Sequence, residues 1–273
     1  MKSIAFGQFY PANSVLHRLD PRIKVILTIL YIVCSFLCKN VLSFLLLVVS
    51  AILLILLGRV PIKIVLRGLR PVLIILAFTA ILNIFWTKGE QLLFAWRFIQ
   101  IYAEGLYAAA FIMIRIAALI IGTGMFLTYT TTPIALTDAI EDLLSPLKKL
   151  HVPVHEFAMM MTIALRFIPL LSEETDKIMT AQKARGADFS TGSLIQRAKA
   201  LIPILIPLFV SAFNRAGDLA TAMECRCYHG GEGRTRMHVR HLRFRDFVSL
   251  IVIVVLGTAL ILLNIFGVGY SMP

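Results

Sequence analysis

The chain has 273 residues, of which 59% are hydrophobic and 15% are charged, and its mean hydropathy is +0.85. This composition excludes a soluble globular protein, because such proteins carry about 25% charged residues and about 45–50% apolar ones. In so apolar a chain, the formal net charge of +12 indicates membrane topology and contact with anionic lipid, not nucleic-acid binding.

Five apolar segments are predicted to span a membrane, since about 20 apolar residues cross a hydrocarbon core of roughly 30 Å. They are residues 23–38, 41–58, 71–86, 106–129 and 247–266. The first is expected to stay in the mature protein, because no small-residue cleavage site follows it. The fourth contains Arg115, which predicts an intramembrane polar contact, with Asn83 or with a partner protein.

The distribution of Lys and Arg predicts the orientation of the spans, because cytoplasmic loops are enriched in these residues. Four lie in residues 1–24, four in residues 59–70 and 15 of the 27 in residues 131–245. The two alternate loops hold only Lys39 in one and Lys88 with Arg97 in the other. This pattern predicts a cytoplasmic N-terminus and an external C-terminus.

Residues 131–245 are predicted to form a cytoplasmic domain of about three helices. The first helix is capped by Thr132 or Thr137 and stops at Pro146, the second begins near Pro153, and the third starts after Ser193. The apolar run 200–213 within the third is too short for a span, which favours an interfacial position.

The predicted fold is therefore an all-α integral membrane protein with about five transmembrane helices and a cytoplasmic helical coupling domain. Its parts are residues 1–130 with four spans, residues 131–245 with the coupling helices, and residues 246–273 with the final span and an external tail.

Two consecutive long helices each end in a three-residue motif with a central arginine. The motifs are Ala184-Arg185-Gly186 and Cys225-Arg226-Cys227, and their arginines are 41 positions apart. An arginine side chain presents a rigid fork of donors that grips a carboxylate at two points. The alternative is that each arginine only complements the dipole of its helix. The repetition favours a pair of docking sites.

The same two helices carry broad apolar faces that predict contact with a membrane partner, since a soluble monomer rarely leaves so large an apolar surface bare. The residues are Phe157, Met160, Met161, Ala164, Leu165, Leu201, Leu205 and Phe209.

The chain resembles the transmembrane T component of energy-coupling factor transporters. Four elements carry the resemblance in order: the stretch SVLHRLDPRIK at residues 14–24, the stretch ALRFIP at residues 164–169, and the two arginine motifs. The resemblance implies a non-catalytic coupling subunit of an ABC importer for a vitamin or metal ion, in a bacterial plasma membrane. Its implied partners are two ATPases, which bind the ATP, and a membrane-embedded substrate-binding S component.

In this family each arginine motif docks on one ATPase, which implies that role for Arg185 and Arg226. The usual motif has a small residue such as alanine before the arginine, and Cys225 stands there in the second motif. Because cysteine is also small, the fit is expected to survive.

Two alternatives come from other classes. Cys225, Cys227 and His229, with His238 and His241 behind them, form a cluster that a membrane metalloprotein could use to bind zinc. A self-sufficient secondary transporter is the second alternative, but the chain shows no inverted repeat and no acidic residue within a span. The chain also lacks Walker-type loops and hydrolase motifs, which predicts that it is not an enzyme and binds no cofactor of its own.

Overall fold

The computed structural model describes residues 9–86, 92–96, 99–189, 193–230 and 241–266. The chain divides into two compact units. The bundle unit comprises Gly7–Ala139 and Val239–Pro273, and the helix-pair unit comprises Met1–Phe6 and Ile140–His238. The predicted boundaries at residues 131 and 245 remain predictions.

The described residues are almost entirely helical, so the fold is all-α as predicted. In chain order the elements are α1 (Pro21–Leu37), α2 (Val41–Gly58), α3 (Ile62–Trp86), strands β1 (Leu92–Trp96) and β2 (Ile99–Tyr102), α4 (Ala103–Thr123), a π-helix (Gly124–Thr128), α5 (Pro133–Leu143), a 3₁₀-helix (Ser145–Leu150), α6 (Val154–Ala184), α7 (Leu194–Cys225) and α8 (Phe244–Ile265). The strands form a short antiparallel hairpin that the sequence analysis did not predict.

Six of the described helices are long and apolar enough to cross a membrane by length and composition: α2, α3, α4 with its π-helical extension, α6, α7 and α8. Helix α1 has 17 residues and an apolar sequence from Ile23 onward. The five predicted spans therefore coincide with α1, α2, α3, α4 and α8. Helices α6 and α7 need a further argument, because both also carry charged residues along their length.

Helix α3 begins nine residues before the predicted third span, at Ile62 instead of Pro71. The helix runs through Pro71, which removes one backbone N–H but leaves the flanking turns intact. The three basic residues of this extension had favoured a loop. Buried Val65 and Leu69, one helical turn apart, are the amphipathic signal that explains the helix.

Contacts at both ends of α1 fix the directions of the bundle helices. At its start, the Asp20 N–H donates to Asp246 Oδ1 of α8 at 2.9 Å. At its end, the Asn264 amide near the end of α8 donates to the Leu37 carbonyl at 2.6 Å. Helices α1 and α8 therefore run parallel.

Buried Lys24 relates α1 to the end of α4. Its Nζ donates to the Thr130 carbonyl at 2.8 Å and to Thr131 Oγ1 at 3.3 Å. The chain thus leaves α4 and enters α8 at one end of the bundle unit, where α1 begins. An even number of membrane crossings must lie between these two points, which means either none or two by α6 and α7.

Residues 14–24 form a set of hydrogen bonds around the start of α1. His17 hydrogen-bonds Ser14 Oγ at 2.7 Å and the Tyr10 carbonyl at 2.8 Å. Asp20 caps α1 by accepting the Arg22 N–H at 2.9 Å. These contacts hold the start of α1 in place.

Close helix approaches in the bundle rely on glycine. A Cβ on Gly122 would overlap the ring of buried Tyr31, and a Cβ on Gly58 would overlap the end of the Met125 side chain. Both contacts bring the π-helical end of α4 close against its neighbours.

Arg115 contacts the end of α1. Its guanidinium donates to the Cys38 carbonyl at 2.8 Å and lies 5.1 Å from the Phe44 ring centroid. The predicted intramembrane polar contact is present, but Asn83 is not its partner, because that amide donates to the Thr79 carbonyl. A guanidinium beside the last carbonyls of a helix is favoured by the helix dipole.

Candidate functional site

Helix α6 ends in a Schellman motif with Arg185 at the cap position. The Gly186 N–H donates to the Lys183 carbonyl at 3.0 Å, and the Ala187 N–H donates to the Gln182 carbonyl at 3.0 Å. Gly186 has φ +89°, the left-handed conformation that this motif requires. The glycine predicted as a helix stop therefore acts as one.

Helix α7 ends in the same motif. The Cys227 N–H donates to the Glu224 carbonyl at 2.8 Å, and the Tyr228 N–H donates to the Met223 carbonyl at 3.1 Å. Arg226 takes the cap position, and Cys227 has φ +55°, where the first motif has glycine. The two arginine motifs thus share one backbone geometry, although the left-handed position is glycine in the first motif and Cys227 in the second.

The two cap arginines are exposed, and within the part of the chain that the structure describes neither side chain forms a hydrogen bond or ion pair. Both backbones are near helical at this position, with φ −86° and ψ 5° for Arg185 and φ −95° and ψ 17° for Arg226. Two guanidinium groups are thus presented by equivalent caps and are free to meet carboxylates on another protein.

Helices α6 and α7 contact each other through a three-residue polar cluster, Glu174, Ser211 and Arg215. The Ser211 hydroxyl donates to Glu174 Oε1 at 2.6 Å, and the Arg215 guanidinium donates to Glu174 Oε2 at 2.9 Å. Among the described residues these are the side-chain hydrogen bonds that join the two helices. We call these three residues the α6–α7 clasp.

The clasp lies in the charged half of α6, beyond its apolar segment. The hydrogen bond from Ser211 lowers the pKa of Glu174, partial burial opposes this effect, and the Arg215 guanidinium adds to the lowering. Glu174 is therefore held as a carboxylate, the form that accepts both hydrogen bonds.

The clasp divides each helix into an apolar arm and a cap arm. Arg185 follows Glu174 by 11 positions, and Arg226 follows Arg215 by 11 positions. Each cap is therefore about 16 Å along its helix from the clasp, at 1.5 Å per residue. The predicted apolar surface precedes the clasp on both helices.

The eight residues of the predicted apolar surface belong to α6 and α7, and most of them are exposed. Met160, Leu205 and Phe209 have 58%, 57% and 65% of their surface accessible, and Leu165 is half-buried. Within the helix-pair unit these side chains lack the cover that their apolar area requires.

The cysteine and histidine cluster has no metal-binding geometry in the described residues. Cys225 and Cys227 are free thiols, and His229 Nδ1 hydrogen-bonds the Cys227 carbonyl at 2.9 Å. No group of three or more His, Cys, Asp or Glu side chains arranged to hold a metal occurs in the described part of the chain. His238 lies outside it.

The clasp was missed by the sequence analysis, although its signal was present. Glu174 and Arg215 are 41 positions apart, the same interval that separates the two cap arginines. This shared interval of 41 positions is the signal in the sequence that relates Glu174 to Arg215.

Most of the chain is similar to proteins of one family. The family described as cobalt transport protein, CbiQ, matches residues 12–239. The energy-coupling factor transporter transmembrane protein EcfT of Ruminiclostridium cellulolyticum is 54% identical over 251 residues, which cover 92% of each chain.

Further relatives carry the same name. That of Clostridium kluyveri is 52% identical over 94% of this chain and 95% of its own. That of Bacillus subtilis is 47% identical over 97% of this chain and 99% of its own. The resemblance stated from the sequence is thereby confirmed.

Proposed function

The chain belongs to the family of energy-coupling factor transporter transmembrane proteins, and on this premise we propose that it is the non-catalytic coupling subunit of such a transporter. It transmits ATP-driven motion from two cytoplasmic ABC-type ATPases to a separate S component that binds a vitamin or metal ion. The ATP is bound by the ATPases, and this chain needs no cofactor of its own.

The observation that carries the proposal is the pair of equivalent caps on α6 and α7. Two ATPase subunits of similar fold offer two similar grooves, and two arginines on identical backbone caps match that arrangement. Each guanidinium meets carboxylates on a different subunit, with Ala184 and Gly186 beside Arg185 and the two cysteines beside Arg226. Small neighbours let the groove approach the backbone closely.

The apolar surface of the helix pair is proposed to bind the S component. It consists of Phe157, Met160, Met161, Ala164, Leu165, Leu201, Leu205 and Phe209. Methionine and aliphatic side chains adapt to differently shaped partners, which suits a subunit that serves more than one S component. The clasp connects this surface to the caps, so motion imposed at the caps reaches the S component.

The orientation proposed for the chain places residues 131–245 in the cytoplasm with the N-terminus. An even number of crossings between α4 and α8 permits this arrangement. Zero crossings agree with the charges, because the longest uninterrupted uncharged stretch in α7 runs only from Ala200 to Asn214, and Arg166 divides the apolar part of α6. About 20 apolar residues are needed to span the membrane.

The docking proposal is tested by replacing the cap arginines in the full complex. Truncation of a hydrogen-bonded charged contact of this kind costs roughly 2–5 kcal/mol. We therefore expect Arg185→Ala and Arg226→Ala each to weaken transport, and the double variant to lose both ATPases during purification from membranes.

Arg197→Ala is the matched control, because Arg197 is exposed on α7 but lies at the opposite end of that helix from the cap. It should retain both ATPases. Recovery of both ATPases at the wild-type level with the double cap variant would contradict the docking proposal.

A further inference from the structure

The first nine residues of α3, which the sequence analysis treated as a loop, present a row of basic side chains. Lys63, Arg67 and Arg70 are exposed and occur at positions i, i+4 and i+7, so they lie along one face of the helix. We call these three residues the basic stripe.

No ion pair compensates the charge of the basic stripe within the described part of the chain. The sequence from residue 21 to residue 86 contains no Asp or Glu. Among the described residues, none of the three side chains forms an ion pair or hydrogen bond. Three positive charges within about 10 Å of helix repel one another, and a bound anion relieves that repulsion.

The stripe lies at the end of the bundle unit where the chain leaves α4. Gly58, four residues before α3, approaches Met125 of the π-helix and Leu16 of the N-terminal segment. On the proposed orientation this end faces the cytoplasm, but the position of the stripe within the bundle does not depend on that orientation.

Exposed apolar side chains accompany the stripe on an adjacent face of α3. Ile62, Leu66 and Leu73 are 62%, 57% and 54% exposed, whereas Val65 and Leu69 are buried. Helix α3 has 25 residues and is about 37 Å long, which exceeds a hydrocarbon core of roughly 30 Å. The apolar residues 71–86 fill most of that core, so the stripe lies at the level of the lipid headgroups.

We propose that the basic stripe binds the phosphate groups of anionic phospholipids in the leaflet at this end of the bundle. Arginine binds phosphate oxygens at two points, and lysine adds a mobile positive charge. The neighbouring exposed aliphatic side chains contact the acyl chains of the same lipids. An acidic protein surface would neutralise the charges but would not cover Ile62 and Leu66, so the combination favours lipid.

The test uses the full-length chain reconstituted in vesicles of equal parts phosphatidylglycerol and phosphatidylcholine with identical acyl chains. Electron spin resonance of trace spin-labelled lipid measures the immobilised fraction of each headgroup. We expect wild type to immobilise phosphatidylglycerol preferentially. The variant Lys63→Gln/Arg67→Gln/Arg70→Gln should lose at least about fivefold of that preference, the contribution of a single basic residue at an anionic surface.

Two controls make the result decisive. Lys148→Gln/Lys149→Gln/Lys199→Gln removes the same charge from exposed positions elsewhere and should keep the wild-type preference. Lys63→Arg/Arg67→Lys/Arg70→Lys preserves the charge of the stripe and should also keep it. Size-exclusion chromatography confirms that each variant remains monodisperse.

Three results would overturn the proposal: an unchanged preference in the glutamine variant of the stripe, an equal loss in the dispersed control, or a stripe variant that keeps its lipid preference but loses a protein subunit when the complex is purified. The last result would assign the stripe to an acidic protein partner.

Discussion

Three polar side chains of the bundle helices complete helix ends or the segment that follows one. Lys24 donates to carbonyl and hydroxyl groups after the π-helix, Arg115 donates to the Cys38 carbonyl, and Asn264 donates to the Leu37 carbonyl. Helix termini leave carbonyl groups without partners, and in lipid no water is available to satisfy them. These side chains therefore stabilise the bundle.

The residue with positive φ in each cap, Gly186 in the first and Cys227 in the second, can be tested by a single substitution. No atom lies within 4 Å of a Cβ added to Gly186, so Gly186→Ala imposes only the backbone cost of positive φ, about 1 kcal/mol. Cys227 already bears that cost at φ +55°, so Cys227→Gly should relieve part of it. Amide hydrogen exchange of the last α6 turn should quicken about fivefold in the first variant, and exchange of the last α7 turn should slow in the second.

Each variant serves as the internal control for the other, because the unmodified cap should keep its wild-type exchange rate. Equal exchange in Gly186→Ala and wild type would show that the αL residue does not limit the stability of the cap.

The predicted docking residues could be identified from the sequence by their repetition. The shared Schellman geometry could not, because Cys227 is an unfavourable residue at positive φ and local preference argues against it there.

At the scale of elements, the clasp is expected to hold the cap arms of α6 and α7 at a fixed separation. Spin labels on Lys183→Cys and native Cys225, in a Cys227→Gly background, measure that separation by electron double resonance, since Cys34 and Cys38 are buried. Glu174→Ala/Arg215→Ala should broaden the distance distribution. Asp218→Asn, which removes an exposed charge from α7 outside the clasp, should leave it narrow.

An unbroadened distribution in the clasp variant would show that apolar packing alone sets the separation.

The depressed pKa of Glu174 also gives the pH dependence its sign. Because the pKa of Glu174 is lowered in the folded state, its carboxylate contributes its full stability above the ordinary pKa of glutamate. That contribution is lost as the pH falls from the ordinary pKa through the lowered one. The separation should therefore stay constant from alkaline pH through neutrality.

Most helix bounds could be predicted from sequence because caps and breakers mark them. Ser193 and Gln196 form a capping box at the start of α7, and the Thr132 hydroxyl accepts the Ala135 N–H at the start of α5. The start of α3 was missed because Lys63, Arg67 and Arg70 obscured the buried pair Val65 and Leu69. The π-helix depends on the Tyr129 N–H reaching the Gly124 carbonyl, and this register follows from packing.

Along both α6 and α7, the apolar surface precedes the clasp and the cap follows it. On the proposed function, the chain contacts two kinds of partner with separate parts of the same helices. Loss of one contact should therefore leave the other intact. This separation distinguishes a coupling subunit from a self-sufficient transporter, in which one pathway would serve substrate and energy source together.

The separation of the two contacts can be tested in the assembled complex. Met160→Asp or Leu205→Asp places a charge in the apolar surface, which should abolish transport and recovery of the S component while both ATPases still co-purify. Photo-crosslinkers at Met160 and Leu205 should capture the S component. Crosslinkers at exposed Thr180 and Thr221 on the cap arms should capture ATPase instead. If Met160 and Leu205 capture only lipid or ATPase, the surface does not bind the S component, because a covering partner must lie within reach of these exposed side chains.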